Sequence, residues 1–403
     1  MKAADNVAVL PDKIGVHGTC DDRFTPVLEA FKHNLDTGQD IGASVAVFVD
    51  GEAVVDLWGG HFDGTYTRPF ERDTIVQGYS STKTITALCA LVLADRGEIT
   101  LDAPVAKYWP EFAAEGKGEI AVRQLLGHTA ALCGWSEPMS FRDLYDWEKS
   151  TTLLARQAPL WRPGRTSGYH GYTQGHLVGE VVRRVTGKTI GTFLAEEIAG
   201  PLGVGTDYYI GTPADADPRV SLLIQGAPQD HANGDRFHDL ALYNPHPTPQ
   251  DTWPLEWRRA ELPAMNGHGN ARGIAAMQSL LACGRANGVR LISDAGRARV
   301  LEQQSDGADL VIGVPCRWGM GFSLELMLFP GPPAGARAAW WAGNGGSLSW
   351  IDLDAHMSIG FVPNRWIGGR FEVARSGNIV RAAYASLGRL TREARRSLVE
   401  RES

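Results

Sequence analysis

Cysteine is scarce in this chain of 403 residues: Cys20, Cys89, Cys133, Cys283 and Cys316 are odd in number, widely scattered and include no CxxC pair. That pattern gives no disulfide framework and no cysteine-built zinc site, and it leads us to expect a reducing, cytoplasmic setting. Long apolar runs are missing too. The longest, around Ala87 to Ala94, is too short to span a bilayer, and the opening MKAADNVAVLPDKIG has no apolar stretch of signal-peptide length. Nor is positive charge in excess: 39 basic against 46 acidic residues leave a net charge of -7, which offers nothing to phosphate backbones or anionic lipid. Neither nucleic acid nor a membrane is an expected partner.

Two familiar hydrolase signatures are also absent. The 11 histidines include His170 with His176 and His231 with His238, but no HExxH or comparable carboxylate arrangement, so metal-assisted hydrolysis is not expected. No G-x-S-x-G elbow surrounds Ser80 or Ser347, and strands do not alternate with helices along the chain, which argues against a Ser-His-Asp hydrolase on a parallel sheet.

What is present is a chain that is 43% hydrophobic and 21% charged, enough to bury a large core. Apolar residues at helical spacing from Arg23 to Leu35 predict an opening helix, with Thr25 as its cap and Pro26 in its first turn. Valine-rich runs on either side of Asp50-Gly51 predict an early antiparallel hairpin. Helical patterns follow at Val122 to His128, Gln174 to Val185, Thr189 to Ile198 and Asn270 to Arg285. The proline-rich stretch from Gly211 to Gly267 is either a wall of a binding cleft or a surface loop. Beyond Val311 the pattern returns to strands, RWGMGFSLEL and ARAAWWAG, then a hairpin around Asp354-Ala355, and a closing helix near Asn378 to Leu387. The expectation is an α+β fold: residues 1–80 and 304–403 build an antiparallel sheet from both termini, and residues 81–303 form a mainly helical domain, with the active site between them.

Chemistry concentrates in GYSSTKTITALCALVLADRG. Ser80 and Lys83 stand in the spacing S-x-x-K before a strongly apolar helix, so hydroxyl and amine share a face. A serine at a helix start sits beside free backbone N–H groups, and a lysine desolvated by that helix has a lowered pKa and can accept the serine proton. The pattern alone is short and decides nothing.

Its setting is informative. YSSTKTITALCALVLADRGEITLDAPVAKYWPEF followed by IAVRQLLGHTAAL resembles the opening signature of the class C beta-lactamase-like serine hydrolases of the penicillin-binding protein and beta-lactamase superfamily, including the family VIII carboxylesterases. The resemblance implies a beta-lactamase/transpeptidase-like fold, with an antiparallel sheet flanked by helices. The family's second signature is a tyrosine shortly after Pro-Gly. Here Pro163-Gly164 precedes Tyr169, with Tyr172 as the competing tyrosine, and Gly171 replaces the asparagine of the usual Y-x-N. The third, K-T-G or a variant on an edge strand, is matched by Trp341-Ala342-Gly343, similar to the tryptophan-containing form of family VIII. A lysine there helps hold the carboxylate of penicillins, so the tryptophan argues against beta-lactams as preferred substrates.

From about Leu28 to Leu387, then, the resemblance implies a serine carboxylesterase of short-chain esters. Ser80 is the expected nucleophile, with Lys83 and Tyr169 as proton acceptors. The Asn344 and Ser80 amides would form the oxyanion hole, with Trp341, Ala342 and Gly343 lining the substrate site. No metal or organic cofactor is expected. The alternatives on the same fold are an amide hydrolase (a weak beta-lactamase or D-amino acid peptidase), an acyltransferase, or a binding protein without catalysis.

Overall fold

The computed structural model describes residues 15–226, 234–246, 248–329, 331–367 and 373–402. Its centre is a six-stranded antiparallel sheet. The strands are β1 (Val16–Cys20), β2 (Gly42–Val49), β3 (Glu52–Gly60), β4 (Ala338–Ala342), β5 (Leu348–Asp352) and β6 (Met357–Pro363), in the order β1-β3-β2-β6-β5-β4. The two ends of the chain meet where β2 pairs with β6, with Val47 opposite Ile359.

Strand β2 reads as a continuous apolar run because both faces of the sheet are covered. Val45 and Val47 point into a cluster with Val27, Phe31 and Leu35 of α1 (Thr25–Asp36) and Ile379 and Val380 of the closing helix. Ala46 and Phe48 point the other way, into the main core that holds α2 (Thr82–Asp95), α3 (Thr173–Thr186) and α4 (Ala271–Ala282). Helix α4 lies in the middle of the sequence, yet it packs on β2 and β6 and so supplies one cover of the sheet. Its start is fixed there by Asn270, which caps Gly273 N, and by Ser44 Oγ, which accepts from Ala271 N at 3.0 Å. The closing helix, α5, runs from Ala374 to Glu402, longer than its periodic stretch suggested. Among the described residues no helix is long and apolar enough to cross a membrane.

Hairpins form at Asp50-Gly51 and around Asp354-Ala355, as their turn residues predict; Asp50 and Gly51 both take positive φ. Other expectations are corrected. Thr25 is the first helical residue of α1 rather than its cap, and its hydroxyl donates to Asp22 O at 2.6 Å. Only the first two residues of RWGMGFSLEL are strand, Arg317 and Trp318, at the end of Pro315–Trp318, which pairs with Ser305–Ala308. The glycines then turn the chain against α2: Gly321, at φ 82°, leaves only 2.4 Å between an added Cβ and Ala87 Cβ. The helix predicted over Thr189 to Ile198 breaks into Ile190–Leu194 and a single wide turn, Ala195–Ala199. The stretch from Gly211 to Gly267 is partly outside the described residues; within it lie the short helices Arg236–Leu242 and Leu255–Arg259.

The contact of α4 with the sheet depends on Gly360, where an added Cβ would come within 2.2 Å of Ala271 O. Gly360→Ala is therefore expected to destabilise the fold by about 1–3 kcal/mol. Thermal unfolding followed by circular dichroism checks this, as a midpoint lowered by several degrees.

Candidate active site

A short turn, Tyr79–Ser81, leads from the strand Ile75–Gln77 into α2 and presents Ser80 at the helix start. Tyr79 takes φ 46°, a conformation costly for a residue with a side chain, so the surroundings must hold it. They do so through Gly78. Its N–H donates to Gly267 O at 2.8 Å, while its carbonyl accepts from Ser81 Oγ at 2.9 Å and Ser347 Oγ at 2.5 Å. Gly343, at the end of β4, comes so close that an added Cβ would sit 1.9 Å from Gly78 O. The sheet edge and the serine turn are thus one packed unit.

Lys83 follows one turn along α2 and is fully buried. Its Nζ lies 3.3 Å from Ser80 Oγ and donates to Gly171 O at 2.6 Å and Ala264 O at 2.9 Å. Burial pushes its pKa well below the ordinary lysine value. Ser80 itself is half-buried and so open to a substrate.

Tyr169 arrives from the loop ahead of α3. Its hydroxyl is hydrogen-bonded with Ser80 and accepts from Trp341 Nε1 at 3.0 Å, and its ring centroid is 4.8 Å from Lys83 Nζ. Burial raises the pKa of the phenol, partly offset by its hydrogen bonds with Ser80 and Trp341. The competing Tyr172 points elsewhere: its hydroxyl donates to Leu242 O at 2.8 Å. The glycine that replaces the family's asparagine has a steric reason as well as a carbonyl role, because a Cβ on Gly171 would lie 2.2 Å from Ala241 O.

The structure therefore brings Ser80, Lys83, Tyr169 and Trp341 into one cluster, with Ala342 and Gly343 beside them. Asn344 is exposed in the turn after Gly343. Neither its N–H nor that of Ser80 has an acceptor among the described residues. His170 and His176 are buried and engaged elsewhere: His170 contacts Gly168 O at 2.7 Å and accepts from Leu132 N at 3.2 Å, and His176 contacts Leu144 O at 3.2 Å. Desolvation lowers both to about 4. Two contributions escaped the sequence reading. One is the indole N–H of Trp341 on the phenol. The other is Asp309, a buried carboxylate that accepts from Tyr169 N at 3.0 Å, whose one sequence signal is an acid standing alone before the apolar Leu310-Val311-Ile312.

Comparison with known proteins identifies the family. The beta-lactamase family model matches residues 28–384. The esterase/beta-lactamase LipL of Mycobacterium tuberculosis is 33% identical over 371 residues, covering 87% of this chain and 83% of that protein. The crystal structure of a family VIII carboxylesterase superposes with a TM-score of 0.87 at 40% identity, covering 92% of this chain and all of the other. A penicillin-binding protein homologue from Caulobacter crescentus superposes with a TM-score of 0.86 at 36% identity over 92% of this chain and its own full length. The chain belongs to the beta-lactamase family and is a serine hydrolase with the beta-lactamase/transpeptidase-like fold.

Proposed function

We propose that the protein is a carboxylesterase that hydrolyses short-chain carboxylic esters through an acyl-enzyme on Ser80. The observation that carries this reading is the surroundings of Lys83. A neutral amine has two N–H groups and one lone pair. With both N–H groups donated to Gly171 O and Ala264 O, the lone pair is left for the hydroxyl of Ser80. The lowered pKa favours that neutral form.

Ser80 Oγ attacks the ester carbonyl while its proton passes to Lys83 Nζ. The N–H groups of Ser80 and Asn344 stabilise the oxyanion that forms. Collapse of the tetrahedral intermediate breaks the ester C–O bond, and the proton held on Lys83 reaches the departing alkoxide through the hydroxyl of Tyr169, which stays a phenol because burial raises its pKa. Water then attacks the acyl-enzyme while its proton passes through the Tyr169 hydroxyl to Lys83 Nζ, and that proton goes to Ser80 Oγ as the acyl C–O bond breaks, releasing the free acid and restoring the neutral amine. Trp341 stands where the lactamases of this family carry a lysine, and a neutral indole offers no charge to the carboxylate of a penicillin or cephalosporin. The names of the family VIII carboxylesterase and of LipL, an esterase/beta-lactamase, support ester hydrolysis.

Purified protein is expected to turn over p-nitrophenyl acetate and butyrate far faster than nitrocefin, and Ser80→Ala to lose ester turnover by more than about 10³-fold. Ester hydrolysis that survives in Ser80→Ala, or nitrocefin turnover above that of the esters, contradicts the proposal. Because Lys83 must be neutral, kcat/KM is expected to fall as pH drops and the amine takes up a proton; a profile flat towards acid contradicts that role. Gly343→Ala, which drives a Cβ into Gly78 O, is expected to lower kcat by about 10²-fold, read in the same ester assay.

A further inference from the structure

Asp309 lies just past the strand Ser305–Ala308, in the loop that returns to Pro315–Trp318; the strand register pairs Trp318 with Ser305, and the contact between residues 309 and 318 is made by their side chains. Its carboxylate is 1% exposed and accepts four hydrogen bonds. Oδ1 takes the N–H groups of Tyr169 at 3.0 Å, Val311 at 2.9 Å and Ile312 at 3.0 Å, and Oδ2 takes Trp318 Nε1 at 3.1 Å. Every partner is a donor. An amide in this place would keep one acceptor oxygen and turn an NH₂ group on another N–H, so the position calls for a carboxylate.

Two of these bonds act on Tyr169 from different sides. The first fixes its main chain. The second fixes the indole of Trp318, which lies parallel to the Tyr169 ring, 7° between planes and 5.8 Å between centroids. Trp318 also packs at 4.6 Å on Trp341, the residue whose Nε1 donates to the Tyr169 hydroxyl. The ring of His128 closes the remaining side, edge-on to Tyr169 at 5.0 Å and to Trp318 at 4.5 Å. Asp309 has no hydrogen bond to Ser80 or Lys83, and it reaches the reacting atoms only through Tyr169 and the two indoles.

We infer that Asp309 is a positioning residue that holds the hydroxyl of Tyr169 on the path of the leaving alkoxide, by clamping both the Tyr169 backbone and the Trp318 ring against which Tyr169 stacks. This rests on the ester-hydrolysis reading above and deepens it. It has a chemical signature. A nitrophenolate leaves without needing a proton, whereas an alkoxide must be protonated as it departs. Loosening Tyr169 therefore costs alkyl esters more than nitrophenyl esters. Substrate binding, which Asp309 does not touch, is left nearly unchanged.

The test compares ethyl butyrate with p-nitrophenyl butyrate in Asp309→Asn, Trp318→Phe and Tyr169→Phe. In Asp309→Asn, kcat for ethyl butyrate is expected to fall by at least about tenfold, with the fall for p-nitrophenyl butyrate several times smaller and both KM values within about twofold of wild type. Trp318→Phe keeps an aromatic face and loses only the N–H bond, so it is expected to show the same bias more weakly; it also serves if Asp309→Asn does not fold. Equal losses for the two esters in a folded variant, or no loss in either, overturn the inference. Tyr169→Phe separates the two claims. If it shows the leaving-group bias and the folded Asp309 and Trp318 variants do not, the positioning role fails alone; if it shows none, the role given to Tyr169 fails, and the role of Asp309 falls with it.

Discussion

The constraint on which the rest of the site depends is the burial of one amine. A lysine ammonium is stable in water and costly to remove from it, and Lys83, in the first turn of α2, is fully buried. Main-chain carbonyls rather than a counter-charge satisfy its hydrogens. They come from two distant segments, the loop of Tyr169 through Gly171 and the segment before α4 through Ala264. The fold therefore brings three stretches of chain to one nitrogen beside Ser80 Oγ. Lys83 and Ala264, 181 positions apart in the sequence, are tied together there.

The second constraint is close approach. The serine turn, the sheet edge and the tyrosine loop each meet a neighbour at a glycine: Gly343 on Gly78 O, Gly267 against Tyr208 and Gly171 on Ala241 O. At each of these points a single methyl group would push backbone or ring apart. These glycines position the chemistry without taking part in it, while the hydroxyls of Ser81 and Ser347 complete the packing on Gly78 O. The result is a cluster in which helix, sheet edge and loop are packed directly on one another.

Much of this was legible in the sequence. Ser80, Lys83 and Tyr169 were picked out because their settings resemble the family's signatures, S-x-x-K before an apolar helix and a tyrosine shortly after Pro163-Gly164, and the hairpins at Asp50-Gly51 and Asp354-Ala355 follow from turn chemistry. What could not be read was long-range. The destination of the lysine N–H groups, the indole hydrogen bond of Trp341 and the four donors of Asp309 are contacts between residues far apart in the chain, which no local pattern encodes. The strand expected over RWGMGFSLEL was cut short where Gly319 packs against Val300 O and Gly321 against Ala87 of α2. Thr25 had the composition of a cap, but the preceding short turn, capped by Asp21, moved it into the helix.

The account stands or falls on a covalent bond. Incubation with p-nitrophenyl butyrate, acid quench within the first turnovers and peptide mapping by mass spectrometry reads it directly. A butyryl group on the peptide that carries Ser80, absent in Ser80→Ala, is the predicted result. Steady turnover with no acyl adduct on that peptide, or an adduct on another residue, would contradict the central claim.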